Sequence, residues 1–223
     1  MEDEPPNIIL ASRSPRRREL LQQLIPAARI DVSPPTSADE AGFENLHDWP
    51  SIETRLRDIA RAKCRDVQEQ CRQRKSGSPA AIIAADTTIA AHDATGRLIV
   101  LGQPPDEDWE NVVRHWFRAY YAGRTHVALT GVCVADREGQ LHERVVKSSV
   151  TFRPDVERWL GWYVATSEPR GKAGGYALQG AGSVFITRVE GSLSNVVGLP
   201  LEELQDILAG LRIISGAELH DGR

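Results

Sequence analysis

Several things are scarce in this sequence, and each scarcity removes a class of function. Cysteine occurs three times in 223 residues, at Cys64, Cys71 and Cys133, with no Cys-x-x-Cys pair. An odd count at those spacings speaks against a disulfide framework or a structural zinc site, and predicts a reduced, cytoplasmic compartment. None of the six histidines stands in an HExxH or other paired-ligand spacing, so zinc chemistry is not expected. No apolar run is long enough to cross a bilayer. The opening MEDEPPN is acidic and proline-rich, without the basic start and apolar core of a signal peptide. Surplus positive charge is also missing: 27 Lys and Arg against 31 Asp and Glu leave a net charge of −4. That balance weighs against a nucleic-acid polymer as partner. There is no GxxxxGK[ST] loop, no GxSxG elbow and no cysteine nucleophile motif.

What is present is an ordinary soluble composition, 41% hydrophobic and 26% charged. Residues 1–6 read as an acidic N-terminal extension, 7–213 as one domain and 214–223 as a polar tail. Within the domain, Asn7–Ala11 and Ala28–Ser33 read as strands flanking a helix over Pro15–Leu24. Ile52, Leu56, Ile59, Lys63, Val67 and Cys71 recur every three or four residues, as on one face of a long helix. Ala80–Ala84 reads as a buried strand ending in a carboxylate at Asp86, and Arg97–Leu101 as another strand. A helix over Asp106–Tyr121, capped by Asp106, precedes two long strands, Arg124–Ala135 and Arg144–Phe152, around a turn at Glu138-Gly139. Pro154–Ala165 is a helix, Val184–Val189 a strand and Pro200–Leu211 the last helix. The alternation predicts an α/β fold with a mixed sheet, arranged in two lobes.

Four constellations are able to carry chemistry. In LASRSPRRRELL, Ser14 reads as an N-cap and Pro15 as the first helical residue, yet Arg13, Arg16, Arg17 and Arg18 crowd the same end. A helix N-terminus is already positive, so each cation there costs roughly 0.3–1 kcal/mol. Either an anionic ligand offsets that cost, or the cluster is a solvated basic turn paired to surface carboxylates. Asp86 in IIAADTTIA is placed to hold Mg²⁺ or take a proton from water, or else simply to cap a turn. GKAGGYALQGAG, Gly171–Gly182, lets backbone approach a ligand, with Lys172 for phosphate and Gln179 for a base edge. The plain alternative is a surface loop, though Tyr176, Ala177 and Leu178 are apolar for one. Lys63 on the apolar face of the long helix either snorkels to water or points into a polar cleft. Together these pieces suit attack by water on a metal-bound phosphate ester.

LASRSPRRRELL, AADTTIA, GRTHVALTGV, GKAGGYALQG and EGSLSNVVGLPLEEL stand in the order seen in the Maf family of nucleotide pyrophosphatases, and the sequence resembles that family from about Ile8 to Leu208. The resemblance implies an α/β fold related to the inosine triphosphate pyrophosphatases, a mixed twisted sheet in two lobes with a central cleft. It implies hydrolysis of a nucleoside triphosphate to the monophosphate and pyrophosphate with Mg²⁺ or Mn²⁺, and suggests a homodimer. On that pattern Asp86 is the proton acceptor, and Asp86 with Glu40 would hold the metal. Lys63 and Lys172 would stabilise charge beside Asp86. Ser12 and Arg17 would line the cleft, Arg17 sharing in the stabilisation of the developing charge, and Arg16, Thr87 and Gln179 match positions tied to choice of base. The sequence follows the dTTP and UTP branch at all three of those places, rather than the 7-methyl-GTP branch; modified pyrimidine triphosphates belong to the same expectation.

The sequence also departs from the pattern. The lysine of the family's LGKP turn is Gln103, the acid that often precedes the loop lysine is Gly171, and an arginine of the long helix is Asp58. The loss of a lysine removes a full charge from a phosphate contact. A nucleotide-binding regulatory protein with weak or lost catalysis is therefore the second reading.

Overall fold

The computed structural model describes residues 7–36, 42–74 and 78–214. Among these, seven strands form one mixed sheet: β1 (Ile8–Leu10), β2 (Ile30–Val32), β3 (Ala81–His92), β4 (Leu98–Leu101), β5 (Thr125–Asp136), β6 (Leu141–Phe152) and β7 (Ile186–Glu190). Their order is β2-β1-β3-β5-β6-β7, with β4 also paired to β3. The helices around it are α1 (Pro15–Leu21), α2 (Trp49–Arg74), α3 (Trp109–Trp116), α4 (Glu157–Ala165), α5 (Leu193–Val197) and α6 (Leu201–Gly210).

Strand β3 organises the molecule. One edge pairs with β5 from Ala81 to Ala90. The other edge pairs in parallel with β1 at Ala81–Ile83, and antiparallel with β4 at Ile89–His92. Between them residues 84–88 have no strand partner on that side among the described residues. The sheet therefore opens along this edge, and the opening divides the fold into two lobes.

The pleat explains which residues flank the opening. On one face of β3, Ile83 and Ala85 pack with Leu20, Leu21, Leu204 and Leu208, while Ile89 and Ala91 pack with Phe117, Tyr121, Phe152 and Tyr163. Thr87 lies between these two cores. On the other face, Ile82 and Ala84 pack with Ala60, Cys64 and Val67, and Ala90 packs with Ile52 and Leu56. Asp86 and Thr88 lie between those. The polar Asp86-Thr87-Thr88 thus interrupts all four apolar clusters at the height where the edge is open.

Several boundaries differ from the sequence expectation. Asp86 is not at the end of a strand but in the middle of β3, because the ladder with β5 continues past it to Ala90. The strand expected over Ala28–Ser33 is confined to β2, since Ala27–Arg29 after Pro26 forms a 3-10 turn. Helix α1 stops at Leu21. Asp106 caps nothing: α3 begins at Trp109 and is preceded by Asp108 in the left-handed region with φ 58°. The helix continues as a π-turn over Phe117–Tyr121. Helix α4 starts at Glu157, three residues after Pro154. Ile214 is buried in the core, so the packed chain runs one residue beyond the boundary expected at 213.

Gly131 of β5 faces Asp86 across the ladder. A Cβ at Gly131 would stand 2.7 Å from the carbonyl oxygen of Leu56, so its bare backbone lets α2 rest on the sheet. Gly131→Ala is expected to push α2 outward and cost about 1–3 kcal/mol by overpacking. Urea denaturation measures this, and a midpoint equal to wild type would contradict it.

Candidate active site

The apolar periodicity of α2 carries Lys63 onto the sheet-facing side, one turn from Ile59 and Val67. There its ammonium meets the Asp86 carboxylate, Nζ to Oδ1 2.7 Å, with both side chains only 14% exposed. Lys63 thus ends on a carboxylate of the sheet, 14% exposed, rather than snorkelling to open water.

The turn from β1 to α1 forms as its sequence dictates. Ser14 is the N-cap, its hydroxyl accepting from the Arg17 N–H at 3.4 Å, and Pro15 begins the helix. Ser12 is buried; its hydroxyl accepts from the Ser14 N–H at 3.1 Å and from Arg17 Nη1 at 3.4 Å. Arg17 also donates from Nε to the Gly198 carbonyl at 2.8 Å, and from Nη2 to the Thr87 hydroxyl at 3.1 Å. Thr87 in turn shares a hydrogen bond with Thr130 at 3.0 Å. Ser12, Arg17 and Thr87, all expected to meet substrate, lie together and engage one another: Arg17 clamps the β1–α1 turn, β3 and the α5–α6 turn. Three neutral acceptors thereby offset part of the charge at the wrong end of the helix.

The remaining arginines divide. Arg13 is exposed and donates to the Pro35 carbonyl at 3.4 Å, and Arg18 lies exposed in the last turn of α1. Arg16 is half-buried and makes no hydrogen bond or ion pair with a described residue. It faces Lys172. Burial, and next the charge of Arg16, hold Lys172 below the usual lysine range, with Glu168 opposing. The Lys172 ammonium donates to the Glu168 carbonyl at 2.5 Å. The charges of Arg16 and Lys172, from distant parts of the chain, thus act on each other, with that of Glu168 as the smaller counterweight.

The glycine loop is fastened to the second lobe rather than tethered. The Tyr121 hydroxyl donates to the Gly174 carbonyl at 3.0 Å, and the Tyr163 hydroxyl to the Gly175 carbonyl at 3.1 Å. Gly174, at φ +69°, has no room for a side chain: a Cβ would meet Ile89 at 2.5 Å and the Tyr121 hydroxyl at 2.6 Å. Its N–H donates to the Gly102 carbonyl at 2.9 Å, which ties the loop to the turn carrying Gln103. Gln103 is exposed, two residues past Leu101, where β4 and its pairing with Ile89 of β3 end. Gln179 is exposed and its amide has no partner among the described residues.

By the pleat of β3, Asp86 and Lys63 lie on the α2 side of the sheet, whereas Arg16, Arg17, Thr87 and the glycine loop lie on the other. The open edge of β3 is where the two sides meet. Motifs taken one by one do not show this division.

For a divalent cation, the described residues offer Asp86 as a hard oxygen ligand; among them no group of three or more His, Cys, Asp and Glu side chains forms a cage. Glu40, the other expected ligand, lies outside the described residues. One carboxylate suits Mg²⁺ that arrives on a triphosphate and keeps phosphate oxygens as ligands.

Two buried polar residues lie inside the motifs EGSLSNVVGLPLEEL and GRTHVALTGV but are not among the expected site residues. Asn195, fully buried, donates to Ser148 Oγ at 2.9 Å and the Ala128 carbonyl at 3.2 Å, and its own backbone carbonyl accepts from Thr130 at 3.2 Å. It holds α5 against β5 and β6, and so holds Gly198 for Arg17. Its signal in the sequence is Ser192, the N-cap whose hydroxyl accepts from the Asn195 N–H. His126 is the second; it donates to or accepts from the Tyr176 hydroxyl at 2.9 Å beneath the loop.

Comparison with known proteins gives this geometry its family. Residues 7–211 match the family described as Maf-like protein. A dTTP/UTP pyrophosphatase of Anaeromyxobacter sp. (strain Fw109-5) is 39% identical over 206 residues, covering 90% of this chain and 87% of that protein. Another dTTP/UTP pyrophosphatase, from Brucella abortus (strain 2308), is 37% identical over 202 residues, covering 91% and 90%. A solved nucleoside-triphosphatase / dITP/XTP pyrophosphatase of Mycobacterium abscessus overlaps 92% of this chain and 94% of its own at 16% identity, with a TM-score of 0.40, too low to bear on function.

Proposed function

The chain belongs to the Maf-like protein family, and from that premise we propose that it is a nucleoside triphosphate pyrophosphatase that cleaves dTTP and UTP to the monophosphate and pyrophosphate. The observation that carries the proposal is the Asp86–Lys63 ion pair set at the open edge of β3. Water bound at that edge gives its proton to the Asp86 carboxylate as its oxygen attacks the α-phosphorus. Lys63 holds Asp86 in place and faces the charge that develops. Arg16 and Lys172 take the phosphate chain, and the Gln179 amide pairs with the edge of the pyrimidine. Mg²⁺ or Mn²⁺, bound by Asp86 and Glu40 with phosphate oxygens, would polarise the phosphorus centre. Arg17 and Thr87 act as the frame that fixes Ser12 and the site's floor.

A cytoplasmic location and a homodimer are parts of the same proposal. Free Cys64, Cys71 and Cys133 support the first, and the family resemblance supports the second. Among the described residues no helix is long and apolar enough to cross a membrane.

The test is pyrophosphate release from a panel of triphosphates with Mg²⁺. UTP and dTTP are expected to be cleaved in preference to 7-methyl-GTP. A preference for 7-methyl-GTP would overturn the assignment of base. Binding without pyrophosphate from any member would favour the regulatory reading that Gln103 and Gly171 suggest.

Gln103 bears on rate. Its exposed place in the turn bound to the glycine loop through Gly102 would give a lysine there access to a phosphate oxygen. A charge-assisted bond in place of a neutral one contributes about 1.5 kcal/mol at the low end, the end suited to an exposed site. Gln103→Lys is therefore expected to raise kcat/KM for UTP about tenfold. An unchanged or lower value would mean that Gln103 is no handicap.

A further inference from the structure

We infer that Glu168 is a positioning residue that fixes the aim of the glycine loop and, through it, the discrimination between pyrimidine bases; the inference rests on the triphosphate reading above. Glu168 lies in the Ser167-Glu168-Pro169 turn that follows α4, and no sequence motif marks it.

Its contacts run to both ends of the loop. Oε2 accepts from the Ala181 N–H at 2.7 Å, Oε1 accepts from the Gly182 N–H at 3.0 Å, and the Tyr163 hydroxyl donates to Oε1 at 3.4 Å. The backbone carbonyl of the same residue accepts from Lys172 Nζ at 2.5 Å. One residue therefore holds the loop's cation at its start and two backbone amides at its finish. Gln179 stands two positions before Ala181, exposed and without a hydrogen bond of its own among the described residues. What orients its backbone is the anchor at Gly180–Gly182. Gly180 is shaped to that anchor: a Cβ there would stand 2.3 Å from Glu168 Oε2. Its φ is −121°, so the backbone conformation does not call for glycine; what a side chain there would displace is the Glu168 carboxylate.

The chemistry requires an acid at this position. A carboxylate offers two acceptors to two N–H groups, whereas an amide turns a donor toward one of them. Replacement by glutamine keeps the size and releases half of the anchor. The base lies remote from the reacting phosphorus, so a loosened Gln179 should weaken binding more than chemistry.

The experiment measures kcat and KM for UTP and CTP with Mg²⁺ on the full chain, for wild type, Glu168→Gln and Gly180→Ala. Gly180→Ala displaces the carboxylate from the other side, so both variants are expected to act alike. The UTP-to-CTP ratio of kcat/KM should fall about tenfold, mostly through KM for UTP, with kcat within about threefold of wild type. A merely structural Glu168 would lower activity on both nucleotides together and leave the ratio in place. A folded Glu168→Gln or Gly180→Ala variant whose ratio stays within about twofold of wild type overturns the inference. Failure of this inference and failure of the enzyme reading are distinguishable. An active wild type with unaltered variants defeats the role of Glu168 alone, while a wild type that releases no pyrophosphate defeats the enzyme reading. In that second case UTP and CTP affinities, taken by calorimetry on the same three proteins, still decide for or against Glu168.

Discussion

Asp86→Asn is expected to lower kcat on UTP by about three orders of magnitude or more and to leave the protein folded. Asparagine keeps the shape of the side chain, and its amide oxygen still accepts from Lys63, so the neighbouring cores stay packed. What is lost is the ability to take a proton, and with it the negative charge opposite Lys63. Exchange of a charge-assisted bond for a neutral one destabilises the fold by about 1–2 kcal/mol. Circular dichroism and a urea midpoint verify the fold, and steady-state pyrophosphate release at saturating Mg²⁺ gives the rate. A variant that keeps most of the wild-type rate would mean that Asp86 is not the base, whatever else it holds in place.

The second large effect is on stability. His126 is 1% exposed, enclosed by Tyr121, Phe152 and Tyr176, and its Nδ1 has no hydrogen-bond partner among the described residues. Burial pushes its pKa down from 6.5 to about 3. The folded protein therefore holds the neutral ring, while the unfolded chain protonates at the usual value. Stability is complete above pH 6.5, falls as pH drops through the window from 6.5 to about 3, and levels off below it. Across the whole window the loss amounts to about 4–5 kcal/mol at 1.36 kcal/mol per unit. Within pH 6.5 to 5, above the ordinary carboxylate range, about 2 kcal/mol of it is already present. His126→Gln keeps a polar partner for the Tyr176 hydroxyl and removes the titration. Its urea stability is expected to be nearly flat from pH 6.5 to 5 where wild type declines; parallel slopes in the two proteins would contradict the assignment. Because Tyr176 and Tyr121 lie beneath the glycine loop, the same acid range should loosen the anion site before the rest of the fold.

Much of the fold and site is legible in the sequence, for reasons that differ by element. The 3.6-residue recurrence from Ile52 to Cys71 marks α2, and with it the position of Lys63, because a long helix on a sheet leaves a strong periodic trace. Ser14-Pro15 marks the start of α1 through local capping chemistry. The extent of β3 is not legible. Asp86-Thr87-Thr88 reads as the end of a strand, and only the ladder with β5, a strand distant along the chain, carries β3 through it. The framing role of Arg17 is hidden for a similar reason. Its partner Gly198 lies 181 positions along the chain, so nothing near Arg17 announces that its fork is occupied. Glu168 leaves no trace because a single acid carries no periodic signal, and for Asn195 the cap at Ser192 marks a helix start but not the partners, which only the folded chain assembles.

The central claim is that water attacks the α-phosphorus of a pyrimidine triphosphate under the control of Asp86. Turnover of UTP in ¹⁸O-labelled water with Mg²⁺ tests it most directly, with the products separated and weighed. Wild type is expected to yield UMP carrying the label and unlabelled pyrophosphate, and Asp86→Asn to yield the same products about a thousandfold more slowly or not detectably. Label in the pyrophosphate, or UDP with orthophosphate in place of UMP, would contradict it.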